Sequence, residues 1–290
     1  MRGGSGVMAV SPMGEPSPVR RRAPGDPIFR KRVLSALVLA PVALGLVVLG
    51  GQGFAIFIAA FAAAMAWEWV RMTDPGAPPR AFAAATGTAV GAALLAGQDV
   101  QGWTVLWVLA GAALCTLDRR PRGDAQYAFA GVLYVSVSAA LLVTLRNGEA
   151  GGLGATLFLL AVVWSADTFA YLAGSWIGGP KLLPAASPNK TWAGLIAGLC
   201  LGVAAGVAVA YAYDMTPLHA GLIAAPTALA AVLGDLLMSL VKRRFGVKDA
   251  GTLIPGHGGV LDRVDALMLA CVFAGLVVVL APQVWPGAGA

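Results

Sequence analysis

The sequence predicts an all-α, polytopic integral membrane protein of about nine transmembrane helices, its N-terminus cytoplasmic and its C-terminus outside. Three observations carry this. Of the 290 residues, 58% are hydrophobic and only 12% charged, too few to give a soluble fold its polar exterior. The apolar residues fall into nine segments, approximately 33–51, 54–70, 81–97, 103–117, 126–145, 153–177, 192–212, 220–241 and 261–282. Most are long enough to cross a hydrocarbon core of about 30 Å. With the N-terminus inside, alternation leaves 19 of the 20 Lys and Arg residues inside and only Arg146 outside. Lipid-facing backbone must satisfy its own hydrogen bonds, so the spans are helices.

Residues 1–29 read as a disordered basic cytoplasmic tail, and residues 30–290 as one polytopic membrane domain. The tail is rich in Gly, Pro, Ser and Arg and has no apolar run of a signal peptide. Its basic residues Arg20, Arg21, Arg22, Arg30, Lys31 and Arg32 hold the N-terminus inside. Cys115, Cys200 and Cys271 sit in apolar segments at unrelated spacings, so neither a disulfide framework nor a zinc site is expected. The short connections leave no room for an inserted soluble domain.

The charges inside the apolar segments are the informative ones. Glu68, between Trp67 and Trp69 near the end of the second segment, reads as an interfacial carboxylate snorkelling to the headgroups. Asp167 lies well inside the sixth. A carboxylate there costs about 2.5–3.5 kcal/mol on the insertion scale, so it should face a cavity or a partner. The following polar loop ends in Ser187, Pro188, Asn189, Lys190 and Thr191, all but the proline suited to phosphate. Asp235 lies about two turns from the end of the eighth segment, and Lys242, Arg243 and Arg244 close it.

Residues 239–265 read SLVKRRFGVKDAGTLIPGHGGVLDRVD. The combination suits phosphate and metal chemistry. Lysine and arginine hold phosphate oxygens. Glycines let backbone N–H groups approach an anion. Asp262 and Asp265, three apart, share a helix face and could ligate a hard divalent cation. A solvated cytoplasmic loop is the plainer reading of the Lys-Arg-Arg run alone.

The order Ser239-x-x-Lys242-Arg243, Lys248-Asp249, Pro255-Gly256-His257-Gly258-Gly259, Asp262-Arg263-x-Asp265 resembles the signature of the CDP-diacylglycerol synthase (phosphatidate cytidylyltransferase) family. The resemblance extends upstream through Asp167, Ala170, Tyr171, Gly174, Ser187, Pro188, Lys190, Thr191, Gly194, Gly234 and Asp235. It departs at Ala193 and Met238, where that family often has Glu.

The resemblance implies a catalytic membrane domain that joins CTP and phosphatidic acid into CDP-diacylglycerol and pyrophosphate in the inner (plasma) membrane of a bacterium. It implies Mg²⁺ held by Asp235, Asp262 and Asp265, with a second metal ion left open. Lys242, Arg243, Lys248 and His257 are expected at the reacting phosphates. Ser187, Asn189, Lys190, Thr191, Asp167, Gly258, Gly259 and Arg263 are expected to bind substrate. No nucleic-acid partner is expected, and a homodimer is left open. A CTP-dependent polyprenol kinase and an ion-coupled transporter remain the alternatives; intramembrane carboxylates suit the transporter equally, but the basic, glycine-rich loop does not.

Overall fold

Over the described residues each apolar segment becomes one helix, and the glycines decide how closely the helices approach. The computed structural model describes residues 41–98, 100–117, 125–149, 151–254 and 258–287. Helix α1 is described over residues 41–49. Then follow α2 (Gly51–Thr73), α3 (Pro79–Ala96), α4 (Gln101–Leu117), α5 (Ala125–Asn147) and α6 (Leu153–Trp176). Two short strands, β1 (Lys181–Leu183) and β2 (Ser187–Thr191), precede α7 (Trp192–Ala212), α8 (Pro217–Arg244) and α9 (Leu261–Leu280). The strands pair as an antiparallel hairpin within an otherwise helical chain, in keeping with the all-α membrane class. The hairpin's polar residues keep it clear of lipid, so strand edges are tolerated there.

Among the described residues six helices, α2 and α5 to α9, are long and apolar enough to cross a membrane, which makes the protein multi-pass. The 18-residue α3 and the 17-residue α4 are not among them. The helices alternate in direction. At one end, Trp69 Nε1 donates to the Tyr127 carbonyl at 2.9 Å, joining the end of α2 to the start of α5. At the other, Asn147 and Gly51 exchange two hydrogen bonds of 2.9 and 3.1 Å, and Arg146 donates to the carbonyls of Val47 and Val48. Arg146 thus satisfies carbonyls left free where α1 ends. Among the described residues it is the one Lys or Arg that alternation puts at that end.

The residues that α7 buries are Gly194, Gly198, Gly202, Gly206 and Ala210, four apart along one face. Apolar helices gain little from desolvation within lipid, so close packing has to hold them together. A Cβ on Gly194 or Gly198 would stand 2.6 Å from the Ala170 or Ala166 carbonyl oxygen of α6. This contact fixes Asp167, beside Ala166, relative to the hairpin that leads into α7. The opposite face exposes Trp192, Ile196, Leu201 and Tyr211, as a lipid-facing surface would.

Buried side chains form two clusters, and α9 belongs to both. Leu261 and Met268 join the one built around α2 and α5. Ala270, Cys271, Ala274 and Val278 join the one between α6 and α8. Helix α9 therefore packs between the two halves of the bundle.

Gly198→Val should force α6 and α7 apart and lower the melting temperature in detergent, with an overpacking cost of about 1–3 kcal/mol. Gly87→Ala, where a Cβ meets nothing within 4 Å, should leave melting unchanged or slightly raised. Equal melting of both variants would show that the glycine face does not hold the helices together.

Candidate active site

Helices α8 and α9 cross tightly because Gly234 has no side chain: a Cβ there would stand 2.9 Å from the Asp265 carbonyl oxygen. Just beyond the crossing, Lys242 is buried with its Nζ 2.9 Å from Asp262 Oδ1 and 3.4 Å from Asp265 Oδ2. Asp262 also accepts from the backbone N–H of Ala250 at 2.9 and 3.1 Å and of Gly259 at 3.1 Å. One carboxylate in the first turn of α9 thus gathers α8 and both arms of the loop between the helices, where the helix dipole favours it. The loop turns back on itself: Ile254 N donates to Gly258 O at 2.9 Å, and Gly258 has φ +88. That backbone favours glycine.

Glu68 lies beneath this loop with none of its surface exposed. Its carboxylate accepts from Val260 N at 3.1 Å and Leu261 N at 2.9 Å. The snorkelling reading is therefore corrected: a glutamate drawn to the headgroups would be exposed, whereas this one turns inward to cap α9. The sequence held a signal, an acidic residue in an apolar run. Its partners are backbone N–H groups, which carry no sequence signature.

The second group sits around the hairpin. Lys190 of β2 forms an ion pair with Asp235 of α8, and Ser239 Oγ donates to Asp235 Oδ1 at 3.3 Å. Asp167, Lys181, Ser187, Asn189, Lys190, Thr191 and Asp235 line a cavity of about 670 Å³. A second cavity, of about 490 Å³, is mostly apolar and runs between α1, α2, α5, α6 and α9, past Phe54, Phe57, Phe61 and Leu160. Its polar end carries Asp167, Asp262, Arg263 and Asp265. Asp167 and Ala266 border both spaces, so the lysine-lined space and the more apolar one adjoin there.

The structure brings Asp167, Asp235, Asp262, Asp265, Lys190 and Lys242 to one end of the bundle. Ser187 and Asn189 stand on the same cavity wall. Thr191 serves as the N-cap of α7, its Oγ1 accepting from Gly194 N at 3.1 Å. Arg243 is exposed and donates to the Val247 carbonyl at 3.4 Å, closing the end of α8; Lys248 is exposed. Gly259 sits against the Glu68 carboxylate. His257 lies outside the described residues. Met238, where the resembled family often carries Glu, is buried among apolar side chains.

Among the described residues, no three His, Cys, Asp or Glu side chains stand close enough to form a metal cluster by themselves. The two Asp262 oxygens are engaged by Lys242 and two backbone donors. Asp235 and Asp265, across the tight crossing and each paired with a lysine, offer hard oxygen donors with fewer backbone partners than Asp262. That chemistry fits Mg²⁺, which commonly takes one or two carboxylates and completes its shell with substrate phosphates.

The chain is similar to known proteins over most of its length. The profile of the Cytidylyltransferase family matches residues 30–281. The phosphatidate cytidylyltransferase of Brucella abortus is 40% identical over 255 residues, covering 83% of this chain and 90% of the relative. That of Pseudomonas aeruginosa is 35% identical over 263 residues, covering 86% and 97%.

Lys242→Met should leave two buried carboxylates without their cation and lower stability by about 3–5 kcal/mol. Arg243→Ala, at an exposed neighbour, should change it by no more than about 0.5 kcal/mol. Thermal melting of both in detergent checks this; equal, small shifts would show that Lys242 does not bind the loop.

Proposed function

Because the chain belongs to the cytidylyltransferase family, we propose that it transfers the cytidylyl group of CTP to phosphatidic acid, giving CDP-diacylglycerol and pyrophosphate. The observation that carries this reading is the adjoining pair of cavities. One carries lysines and carboxylates along its wall for a nucleotide; the other is the more apolar of the two, with room for lipid chains. An ion-coupled transporter has no need of the second. A polyprenol kinase would need a base to activate the lipid alcohol, and Asp235, Asp262 and Asp265 are tied to lysines and backbone instead.

The lipid phosphate oxygen is already ionised at neutral pH, so it attacks the α-phosphorus of CTP without a strong general base. The bond from the α-phosphorus to the bridging oxygen breaks, and pyrophosphate leaves with the electron pair. The chain's task is to bring two anions together. Lys190 and Lys242 are held in place by Asp235, Asp262 and Asp265, and substrate phosphate oxygens compete with those carboxylates for them. Arg243, Lys248 and Arg263 add positive charge around the loop, His257 is assigned to hydrogen-bonding the leaving pyrophosphate or shaping the glycine turn, and Gly258 lets the backbone turn close to an anion. Ser187, Asn189 and Thr191 supply hydrogen-bonding groups along the hairpin wall. Asp235 and Asp265 would hold Mg²⁺, which when bound neutralises charge on the phosphates. Asp262 is assigned to holding the loop and reaches a metal only by releasing backbone donors.

The charge distribution supports a cytoplasmic site. Alternation places nine of the ten described Lys and Arg residues at its end of the bundle. Counting α1, α3 and α4 as spans gives nine, with the N-terminus inside, the C-terminus outside and the protein in the inner membrane of a bacterium.

Purified protein in detergent, given phosphatidic acid, Mg²⁺ and CTP labelled in the cytosine ring, should place label in the lipid extract. Label moving to a polyprenol from γ-labelled CTP, with none from the ring, would overturn the reading. Asp265→Asn should lower turnover by at least about a hundredfold while the protein still accumulates in the membrane, the order expected for losing a transition-state charge contact. Wild-type turnover in that variant would remove Asp265 from the metal.

A further inference from the structure

We propose that Glu68 is a positioning residue of the transfer reaction: it holds the first turn of α9, and through it Asp262 and Asp265, in register with the substrate phosphates. The inference rests on the transferase reading above.

A fully buried carboxylate in an apolar helix is costly unless it is hydrogen-bonded. Glu68 meets that cost with two adjacent backbone donors, Val260 N and Leu261 N, across 192 and 193 residues of sequence. These are among the N–H groups that a helix start leaves without partners. The residue at the N-cap, Val260, makes no side-chain cap hydrogen bond, so a distant helix supplies the capping group.

The carboxylate sits in a socket. A Cβ on Gly251 would stand 2.3 Å from Glu68 Oε1, and one on Gly259 would stand 2.7 Å from Oε2. Both glycines touch the arms that hold Asp262. Gly259 N is itself an Asp262 donor, and Gly251 follows Ala250, whose N–H is the other. Leu261 directly precedes Asp262. A shift of Glu68 therefore moves the backbone that fixes the Asp262 carboxylate, and Asp262 fixes Lys242. Small displacements of reacting groups can cost two orders of magnitude in rate. A residue needed only for folding would lower stability and leave the turnover of folded protein unchanged.

The test compares wild type, Glu68→Gln and Gly251→Ala in detergent by size exclusion, thermal melting and steady-state kinetics with CTP and phosphatidic acid. Gln keeps the size of the side chain but presents an N–H₂ to one backbone donor. The Gly251 substitution pushes on the same carboxylate and leaves its charge intact. Each variant should elute as folded protein with kcat lowered by about tenfold or more, and with KM for CTP changed much less. The double variant should be little worse than the poorer single one, because both act on one contact. Wild-type kcat in either folded variant would overturn the proposal, as would losses that vanish after correction for folded fraction. If Glu68→Gln does not fold, Gly251→Ala decides alone. A wild type that transfers no cytidylyl group would overturn the transferase reading itself, a result distinct from an active wild type with indifferent variants.

Discussion

The pairing of Lys242 with Asp262 and Asp265 is the interaction on which the rest of the site depends. All three groups lie where apolar helices meet, and none would be stable there alone. Together they join the end of α8 to the start of α9, and Asp262 adds the backbone of the connecting loop at Ala250 and Gly259. Glu68 supports the same turn from α2. The outcome is a loop of small residues held by carboxylates from two directions, with its lysine fixed at the end of the bundle where most of the positive charge collects.

Helix packing serves this arrangement. The glycine face of α7 draws α6 close and places Asp167 beside the hairpin, while Gly234 draws α8 onto α9 and sets Asp235 opposite Asp265. Close approach of backbones is the force available between helices in lipid. Here it also determines how far apart the carboxylates stand. A space walled by lysines and carboxylates and a more apolar one then adjoin at Asp167, which suits a reaction between a water-soluble nucleotide and a lipid.

Much of this was legible in the sequence, for physical reasons. Spans are visible because lipid demands long apolar runs, and segments such as 126–145 and 192–212 coincide closely with α5 and α7. Asp167, Asp235, Asp262 and Asp265 are visible because charge is expensive in such runs. Four things were not. Glu68 looked interfacial because its tryptophan neighbours suit an interface and its true partners are backbone amides. The pairing of Lys190 with Asp235 joins residues far apart in sequence, and composition says nothing of which lysine meets which carboxylate. The fourfold glycine spacing of α7 is present in the sequence but stands out poorly in a chain with 38 glycines. The hairpin was missed because β1 and β2 have three and five residues, too few to show a period.

The most direct measurement is where the nucleotide sits. A CTP analogue with a photoreactive base, crosslinked to the protein in detergent and mapped by peptide mass spectrometry, should mark the hairpin around Lys181–Thr191 or the α8–α9 connection. Excess CTP should prevent the marking. Competable adducts confined to the opposite end, near Arg146, would contradict the placement of the nucleotide at the carboxylate–lysine cluster.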